Sequence, residues 1–380
     1  MKKVLIFVDA LYEGGVSKVL LDLLENINRD KYDITVMTLY NQGIYIDNVK
    51  KYAKYKYCFD IPDADDNSLK AKLYRKYWGG MLRLPESFMY KWFVKEKYDI
   101  EIAFMHGWST KFISGSNNKN SKKIAWVHVD LVTWNRVDGV FKNLEHHKNA
   151  YSKFNEVLCV SKTVKDGVEK KYGVKNAKVI YNPINREKIL KLSNEKIDDI
   201  KSTNKFKLIS VGRLSKEKGY DRLLRVFKRL NDEGLDLQLS IIGSGEKYNE
   251  LNDYIEQNNL RDKVFLLGYR ENPYKYVKDS NLFVCSSLSE GFSLVIGEAM
   301  AIGVPVISVN CPGPSEVLEF GEYGMLVNNN EDSLYADIRK LIANKEIYDS
   351  YRGKAIERGS MFSVGGFIEE VEDILDINIK

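Results

Sequence analysis

Cysteine and histidine are scarce in this chain of 380 residues, which contains four of each. The cysteines are Cys58, Cys159, Cys285 and Cys311, and no two of them have the close spacing of a zinc-ligand pair. Scattered thiols fit a reducing compartment and argue against a disulfide framework. We therefore expect a protein with neither disulfides nor a metal site.

Long apolar runs are also missing, since no stretch approaches the roughly 20 apolar residues that span a membrane. The apolar run at the N-terminus is interrupted at Asp9 and leads into Gly14-Gly15, which favours a buried first strand over a targeting segment. These absences predict a cytoplasmic protein. They leave open a peripheral contact with the inner face of the cell membrane.

Short apolar runs alternate with longer amphipathic stretches along most of the chain. Strands that alternate with helices are typical of parallel βαβ units. The predicted strands of the first half are 3–9, 33–39, 100–104, 123–128 and 156–160. Those of the second half are 206–211, 237–242, 263–267, 281–285 and 304–309.

The length of the chain suits two domains, because single cores rarely grow beyond about 250 residues. We predict an α/β protein of two Rossmann-like, doubly wound parallel-sheet domains with an interdomain cleft at the carboxyl ends of the strands. The predicted first domain covers 1–182, a polar linker covers 183–205, and the second domain covers 206–360. The remaining segment, 361–380, reads as a helix that can pack back on the first domain.

Residues 287–301, SLSEGFSLVIGEAMA, hold the densest group of candidate ligand-binding residues. Gly291 permits a tight turn after a strand. The amides at the start of the following helix form an anion site suited to a pyrophosphate; they belong to Phe292, Ser293, Leu294 and Val295. Glu290 precedes this helix and Glu298 lies within it. One carboxylate can hold the hydroxyls of a sugar and the other a ribose, but an isolated pair would more often be two solvated glutamates beside a capped helix.

A second candidate group follows the strand at 206–211. Gly212-Arg213 comes directly after this strand, and Lys218 follows within the stretch SKEKG. The carboxyl end of such a strand is where open α/β sheets bind ligands. Arginine offers a planar fork for phosphate oxygens and lysine a point charge. Arg213 and Lys218 are therefore candidate phosphate-binding residues.

Four motifs together resemble one known family. GRLSKEKG, IIGSGE, LLGY and SEGFSLVIGEAMA followed by GVPVIS are similar, in order and spacing, to the C-terminal domain of the retaining GT-B glycosyltransferases of family four. The resemblance implies transfer of a sugar from a nucleotide-sugar with retention at the anomeric carbon. It also implies no metal and no cofactor, because cations and helix amides neutralise the leaving diphosphate.

The resemblance implies a role for each matching residue. Arg213 and Lys218 would bind the diphosphate, Glu290 with the amides of Gly291 and Phe292 would hold the sugar, and Glu298 would bind the ribose. The remaining donor-side positions are backbone positions: Gly212, Leu267, Gly268, Ser293 and Leu294. The acidic stretch DADD, residues 63–66, is interpreted as a solvated loop instead of a metal motif.

The first domain contributes fewer recognisable positions. Gly14-Gly15 is similar to the family's glycine pair and would let a substrate approach the backbone, although Ser17 stands where the family has a glutamate. His128 matches a histidine that the family places beside the transferred sugar. His106, after another strand, is an open candidate; Asp130 is a weaker neighbour, and His146 and His147 are expected at the surface.

The acceptor is less defined, and residues 67–98 bear on it most. This segment holds eight Lys or Arg residues against two Glu, interleaved with aromatic residues, in a first half that carries 31 basic and 21 acidic side chains over 1–182. Such a segment suits an anionic membrane surface, where lipid-linked acceptors lie, or is simply a solvated helical face.

The resulting hypothesis is a bacterial glycosyltransferase that builds cell-surface polysaccharide, using a UDP-sugar and a glycan or lipid-linked acceptor. GDP- and ADP-sugars stay open. A nucleotide-sugar epimerase on the same fold is the nearest alternative. A basic nucleic-acid- or membrane-binding protein without catalysis is the alternative from another class, although no nucleic-acid-binding motif is present and we expect no nucleic-acid partner.

Overall fold

The structure, a computed structural model, describes residues 1–62, 66, 68–132, 139–200 and 203–377. It divides the chain into two compact units. Unit 1 contains residues 1–181 and 365–380, and unit 2 contains residues 182–364. Most of the acidic stretch 63–66, namely residues 63–65, lies outside the described residues, as does residue 67.

Unit 1 is built on a parallel sheet of seven strands. Its strands are β1 (Lys2–Val8), β2 (Tyr32–Tyr40), β3 (Lys54–Phe59), β4 (Ile100–Ala103), β5 (Lys122–Val127), β6 (Glu156–Cys159) and β7 (Ala177–Val179). Its helices up to residue 181 are α1 (Gly15–Asn26), α2 (Ile46–Lys50), α3 (Leu69–Met81), α4 (Glu86–Phe93), α5 (Trp108–Ser114), α6 (Leu144–Tyr151) and α7 (Lys162–Tyr172).

Unit 2 is built on a parallel sheet of six strands. These are β8 (Phe206–Val211), β9 (Leu237–Ile242), β10 (Val264–Gly268), β11 (Leu282–Cys285), β12 (Val306–Val309) and β13 (Met325–Val327). The accompanying helices are α8 (Arg186–Ser193), α9 (Tyr220–Asp232), α10 (Tyr248–Gln257), α11 (Tyr274–Lys278), α12 (Leu294–Ile302), α13 (Pro312–Val317), α14 (Glu331–Ala343) and α15 (Lys345–Gly359).

In each sheet the strand order reverses at one point, because successive strands are added first on one side of the sheet and then on the other. The order in unit 1 is β3-β2-β1-β4-β5-β6-β7, and in unit 2 it is β10-β9-β8-β11-β12-β13. The reversal therefore lies between β1 and β4 in unit 1 and between β8 and β11 in unit 2. Ligands of open α/β sheets bind at such points, beyond the carboxyl ends of the strands. The predicted fold class, two doubly wound parallel-sheet domains, is confirmed.

The final helix, α16 (Val364–Asp376), packs on the sheet of unit 1. The Phe367 ring lies 5.9 Å from the Trp126 ring, centroid to centroid. Lys2 Nζ donates to Asp376 Oδ1 at 3.0 Å, and Lys122 Nζ donates to the carbonyl of Ile377 at 3.2 Å. The final helix and Ile377 thus contact residues of β1 and β5.

The stretch 183–205, predicted to be a linker, contains α8 instead. Asn185 caps this helix by accepting a hydrogen bond from the Lys188 amide at 3.1 Å, and Ile189 is buried. Helix α8 packs against α11 and α12 of unit 2. This short polar stretch forms a helix because Asn185 caps its first turn and its packed side, with Ile189 and Ser193 buried, lies against unit 2.

None of the helices in the described part of the chain combines the length and the apolarity needed to cross a membrane.

Candidate functional site

The two candidate groups of the second half lie at one edge of the unit 2 sheet. Strands β8 and β11 are paired neighbours, with Leu282 opposite Leu208. Gly212 and Arg213 follow β8, and Glu290 lies in the loop after β11. The reversal of strand order between β8 and β11 therefore brings together residues that are far apart in sequence.

Lys218 and Glu290 form an ion pair at this edge. Lys218 Nζ lies 2.9 Å from Glu290 Oε1, and the two residues are 72 positions apart. Glu290 is the more buried partner, with 9% of its side chain exposed against 22% for Lys218. The hydroxyl of Ser287 donates to the same oxygen, Oε1.

The ion pair fixes the charge of both groups. Burial by itself lowers the pKa of Lys218, but the charge of Glu290 outweighs it and the pKa is raised. Burial by itself raises the pKa of Glu290, but the charge of Lys218 and the hydrogen bond from Ser287 outweigh it and the pKa is lowered. A lysine cation and a glutamate anion therefore lie side by side at neutral pH.

The backbone around Lys218 is anchored to the loop after β11. Ser286 Oγ donates to the Lys218 carbonyl at 2.9 Å, and Arg222 Nε donates to the Ser286 carbonyl at 2.8 Å. Gly219 has φ +63°, and a Cβ there would lie 2.4 Å from the Ser286 carbonyl oxygen. Only glycine fits this contact, so the loop that carries Lys218 is held against the loop that carries Glu290.

Arg213 differs from Lys218 in its surroundings. Its side chain is exposed, and the guanidinium forms no hydrogen bond or ion pair with any residue that the structure describes. Gly212, just before it, is closely packed, because a Cβ at this position would lie 2.9 Å from the Tyr220 hydroxyl. Arg213 thus offers a cation on a packed backbone at the edge of the sheet.

Helix α12 begins beside Glu290. Ser293 is its N-cap residue and Leu294 its first residue, so the amides of the first turn have no acceptor within the helix. The loop before it rests on the start of α13: the Gly313 amide donates to the Glu290 carbonyl at 3.0 Å. A Cβ on Gly313 would lie 2.8 Å from both the Gly291 carbonyl carbon and the Phe292 nitrogen.

Glu298 occupies the second turn of α12 and is 7% exposed. The Tyr274 hydroxyl, from the start of α11, donates to its Oε1 atom at 3.0 Å. Gly268, the last residue of β10, has φ +68°, and a Cβ there would meet no atom within 4 Å. The predicted ribose and base positions therefore lie on two elements of unit 2, α12 and β10, and α11 adds the Tyr274 hydroxyl.

In unit 1, Gly15 is the first residue of α1, directly after β1 and its loop. His128 follows β5 and is 7% exposed, and its ring stacks on the Trp126 ring at a centroid distance of 5.8 Å. Burial lowers the pKa of His128 to about 3, so its imidazole is neutral at physiological pH. Asp130 Oδ1 accepts a hydrogen bond from the Val132 amide at 2.9 Å.

His147 was predicted to lie at the surface, but the structure buries it. It is 1% exposed, and its ring stacks on Phe141 at a centroid distance of 3.8 Å. Tyr151 and Tyr172 complete this aromatic cluster. The reason is that an imidazole is flat and packs between aromatic rings much as they pack together. His146 remains partly exposed and lies 3.4 Å from Glu86.

Three contacts were not predicted from sequence: those of Ser287 and Tyr274 in unit 2, and that of Asp9 in unit 1. Ser287 lies three residues before Glu290, a spacing at which a serine can bond within its own loop. Asp9 directly follows β1 and accepts a hydrogen bond from Ser109 Oγ at 2.6 Å. Arg213 was selected because it follows the carboxyl end of a strand, and the same criterion could have identified Asp9. Tyr274 carries no such signal.

Among the described residues, no three His, Cys, Asp or Glu side chains converge as metal ligands.

Two family models match the chain, one in each half. Residues 13–188 match the model described as Glycosyltransferase Family 4. Residues 193–358 match the model described as Glycosyl transferases group 1.

Individual proteins are similar over most or about half of the chain. An uncharacterized glycosyltransferase of Methanocaldococcus jannaschii is 30% identical over 292 residues, which cover 67% of this chain and 71% of that protein. The N-acetylgalactosamine-N,N'-diacetylbacillosaminyl-diphospho-undecaprenol 4-alpha-N-acetylgalactosaminyltransferase of Campylobacter jejuni is 33% identical over 216 residues, 56% of this chain and 57% of that enzyme. Among solved structures, HepE of Anabaena in complex with UDP and glucose matches with a TM-score of 0.77 at 18% identity, covering 99% of each chain.

Proposed function

The chain belongs to the glycosyltransferases of the GT-B fold, and we propose that it transfers a sugar from a UDP-sugar to a hydroxyl of a glycan or lipid-linked acceptor. We further propose that the reaction proceeds with retention, needs no metal and serves cell-surface polysaccharide synthesis. The UDP and glucose bound to HepE support the choice of donor. The undecaprenol-linked substrate named for the Campylobacter jejuni enzyme supports the choice of acceptor.

The observation that carries this proposal is the contact between Lys218 and Glu290 at 2.9 Å. Two motifs 72 residues apart place a cation and a carboxylate side by side at the reversal point of the sheet. In the proposed reaction Lys218 binds the diphosphate and stabilises its growing charge. Glu290 holds the hydroxyls of the donor sugar through the carboxylate that Ser287 and Lys218 orient.

The leaving diphosphate is neutralised by groups that are already in place. Arg213 adds a second cation, and the first-turn amides of α12, at Ser293 and Leu294, add partial positive charge. The amides of Gly291 and Phe292 lie in the loop beside Glu290 and would contact the sugar. Preorganised cations and amides can take the role that a metal plays in other transferases.

The remaining assigned residues bind the nucleoside or the sugar. Glu298, oriented by Tyr274, would accept hydrogen bonds from the ribose hydroxyls, and the backbone at Gly268 would border the base. Gly15 and Gly212 would allow close approach of substrate to the backbone. His128, neutral and buried, would bind an uncharged hydroxyl of the transferred sugar, as the resemblance implies.

A thermal-shift screen of UDP-, GDP- and ADP-sugars, without added metal, tests the donor site. A ligand at 100 times its dissociation constant adds about 2.7 kcal/mol of stability. We expect a shift with UDP-sugars that weakens in Glu298→Ala, while Glu250→Ala, on the surface, serves as control. A folded protein that shifts with none of the three nucleotide classes would contradict the proposal.

Analysis of the product tests the rest of the proposal. The proton coupling constant at the anomeric carbon of the product tests retention. A new UDP-sugar epimer instead of a transfer product would indicate an epimerase.

We also propose that helices α3 and α4 contact an anionic lipid surface. Leu69, Leu73 and Tyr77, four residues apart on α3, are 74%, 59% and 46% exposed. Phe88 and Trp92 on α4 are 46% and 51% exposed. Exposed apolar side chains among eight Lys or Arg residues complement acidic headgroups and acyl chains together.

Vesicle co-sedimentation tests this contact. Wild-type protein should bind vesicles with 30% phosphatidylglycerol and lose binding to pure phosphatidylcholine or at high salt. Leu69→Ser/Leu73→Ser should weaken binding at least fivefold, which corresponds to about 1 kcal/mol. Full burial of one leucine side chain among acyl chains contributes about 2 kcal/mol. Leu144→Ser, 47% exposed elsewhere on unit 1, should bind as wild type does. Equal binding by both variants would contradict the assignment.

A further inference from the structure

His106 lies at the point where the sheet of unit 1 reverses its strand order. Strand β4 ends at Ala103, opposite Phe7 of β1, and the Phe104 amide donates to the Phe7 carbonyl at 2.9 Å. His106 therefore sits just beyond the carboxyl ends of β1 and β4. This is the position in unit 1 that corresponds to the Lys218–Glu290 edge of unit 2, and open α/β sheets bind ligands there.

The imidazole of His106 has no hydrogen-bond partner among the described residues. The residue is only 7% exposed, and its Nδ1 atom is buried without a partner. A buried polar atom left unpaired costs about 1–3 kcal/mol, and native proteins rarely keep one without a reason. His128, after the neighbouring strand β5, likewise has a buried ring nitrogen, Nε2, that finds no partner in the part of the chain that the structure describes.

The chemistry of this imidazole selects the kind of group that it can bind. Burial, with a contribution from the nearby His147, lowers the pKa of His106 to about 4, so the ring is neutral at physiological pH. A neutral imidazole carries one donor and one acceptor nitrogen, as a hydroxyl does. It therefore complements an uncharged hydroxyl and gives no charge attraction to a phosphate.

The loop that carries His106 is held on both sides. Ser109 Oγ, in the first turn of α5, donates to Asp9 Oδ1 at 2.6 Å. Thr110 Oγ1 donates to the Met105 carbonyl at 3.2 Å, just before His106. Gly107 has φ +77°, which turns the chain from this residue into α5. The ring is thus presented by a preorganised loop, which lowers the entropy cost of binding.

We infer that His106 is an acceptor-binding residue, whose imidazole forms a hydrogen bond with an uncharged hydroxyl of the sugar or polyol that receives the transferred sugar. Asp9 acts through Ser109 to position the loop. A carboxylate at the same edge also disfavours an anionic acceptor group there. This inference rests on the proposed transferase function and adds the acceptor side to it.

The variant His106→Phe separates this role from a structural one. Phenylalanine keeps the ring volume and removes both nitrogens, so Tm should stay equal or rise, since an unpaired buried nitrogen is lost. The KM for the acceptor should rise roughly 3- to 10-fold, the loss expected for one neutral hydrogen bond. The UDP dissociation constant and the hydrolysis of UDP-sugar without acceptor should stay within twofold of wild type. His106→Gln, which retains a donor and an acceptor, should recover part of the acceptor affinity.

The probes are octyl and p-nitrophenyl glycosides of glucose, galactose and N-acetylglucosamine, with the UDP-sugar that gives the largest thermal shift. His146→Asn is the matched control, because it removes an imidazole of unit 1 that contacts Glu86 instead. An acceptor KM within twofold of wild type in His106→Phe would overturn the inference. So would a wild-type protein that hydrolyses UDP-sugar but uses none of these neutral acceptors. A wild type that binds no nucleotide-sugar at all would overturn the proposed function instead.

Discussion

At the scale of single residues, the pair Lys218–Glu290 is the centre of the chemistry proposed for unit 2. Lys218→Gln should lower the turnover of UDP-sugar by about 10²–10³-fold, because one preorganised group that stabilises transition-state charge is worth that much. Lys216→Gln, an exposed lysine of the same turn, is the matched control and should change turnover less than threefold. Steady-state release of UDP measures both.

The lysine variant should also lose stability. Glu290 would keep its bond from Ser287 but lose the cation that offsets its burial, and a buried charge without its partner is destabilising. The double variant Lys218→Gln/Glu290→Gln should regain part of the lost Tm, although not the activity. Additive effects of the two substitutions on Tm would argue against a coupled pair.

Asp9 makes a pH-dependent contribution to stability. Burial raises the pKa of Asp9 from its ordinary value of 3.8 to about 6. The folded state then binds more protons than the unfolded state between these values, so ionisation of Asp9 costs stability as the pH rises through 6. Asp9→Asn removes this titration. The stability of the variant minus that of wild type should therefore grow by up to about 3 kcal/mol between pH 4 and pH 7.

Urea unfolding at several pH values measures this difference. The buried histidines act in both proteins alike, so they cancel in the comparison. Parallel stability curves for the two proteins would mean that Asp9 has an ordinary pKa.

At the scale of the elements, the start of α13 supports the loop that carries Glu290. Gly313→Ala would place a Cβ 2.8 Å from backbone atoms of Gly291 and Phe292. Because backbone cannot move aside as a side-chain end can, we expect the loop to shift, with a lower Tm and weaker binding of UDP-sugar. Gly353→Ala in α15 meets nothing within 4 Å and should stabilise by about 0.5–1 kcal/mol.

Thermal shift and isothermal titration with the best UDP-sugar check both variants. Unchanged affinity in Gly313→Ala would show that the loop tolerates the added methyl group, and that α13 does not set the geometry of the site.

Which elements could be predicted from sequence depends on how fully each is buried. The central strands are apolar on both faces, as parallel sheets require, and each predicted strand matches an observed one to within two residues. The strands that were missed, β3, β7 and β13, are edge strands. Strand β3 reads KYKYCF and buries only Phe59, so it lacks the continuous apolar run that identified the central strands. The helix α8 was missed for a similar reason.

At the scale of the whole molecule, the chain leaves unit 1 after residue 181 and returns to it at residue 365. The returning helix α16 buries Phe367 against the sheet of unit 1, whereas the proposed nucleotide site lies in unit 2. Phe367→Ala should therefore lower the stability of unit 1 by about 3–5 kcal/mol and leave the dissociation constant of UDP unchanged.

Calorimetry with and without UDP tests this separation. We expect UDP to shift the transition of unit 2 and Phe367→Ala to shift that of unit 1. Ile377→Ala is the control. The Ile377 side chain, just after α16, is exposed, so its truncation should have little effect. Weaker UDP binding in Phe367→Ala would contradict a nucleotide site confined to unit 2.

The sequence alone determined the alternation of strands and helices, the two parallel sheets and the motifs that resemble glycosyltransferases. These follow from local apolar patterns and from short segments whose residues act together. Only the tertiary structure decided that Lys218 meets Glu290 across 72 positions, that His147 is buried among aromatic rings and that His106 Nδ1 is buried with no partner among the described residues. The reason is physical: such contacts depend on strand order and on side-chain packing between distant segments, and neither leaves a periodic signal in the sequence.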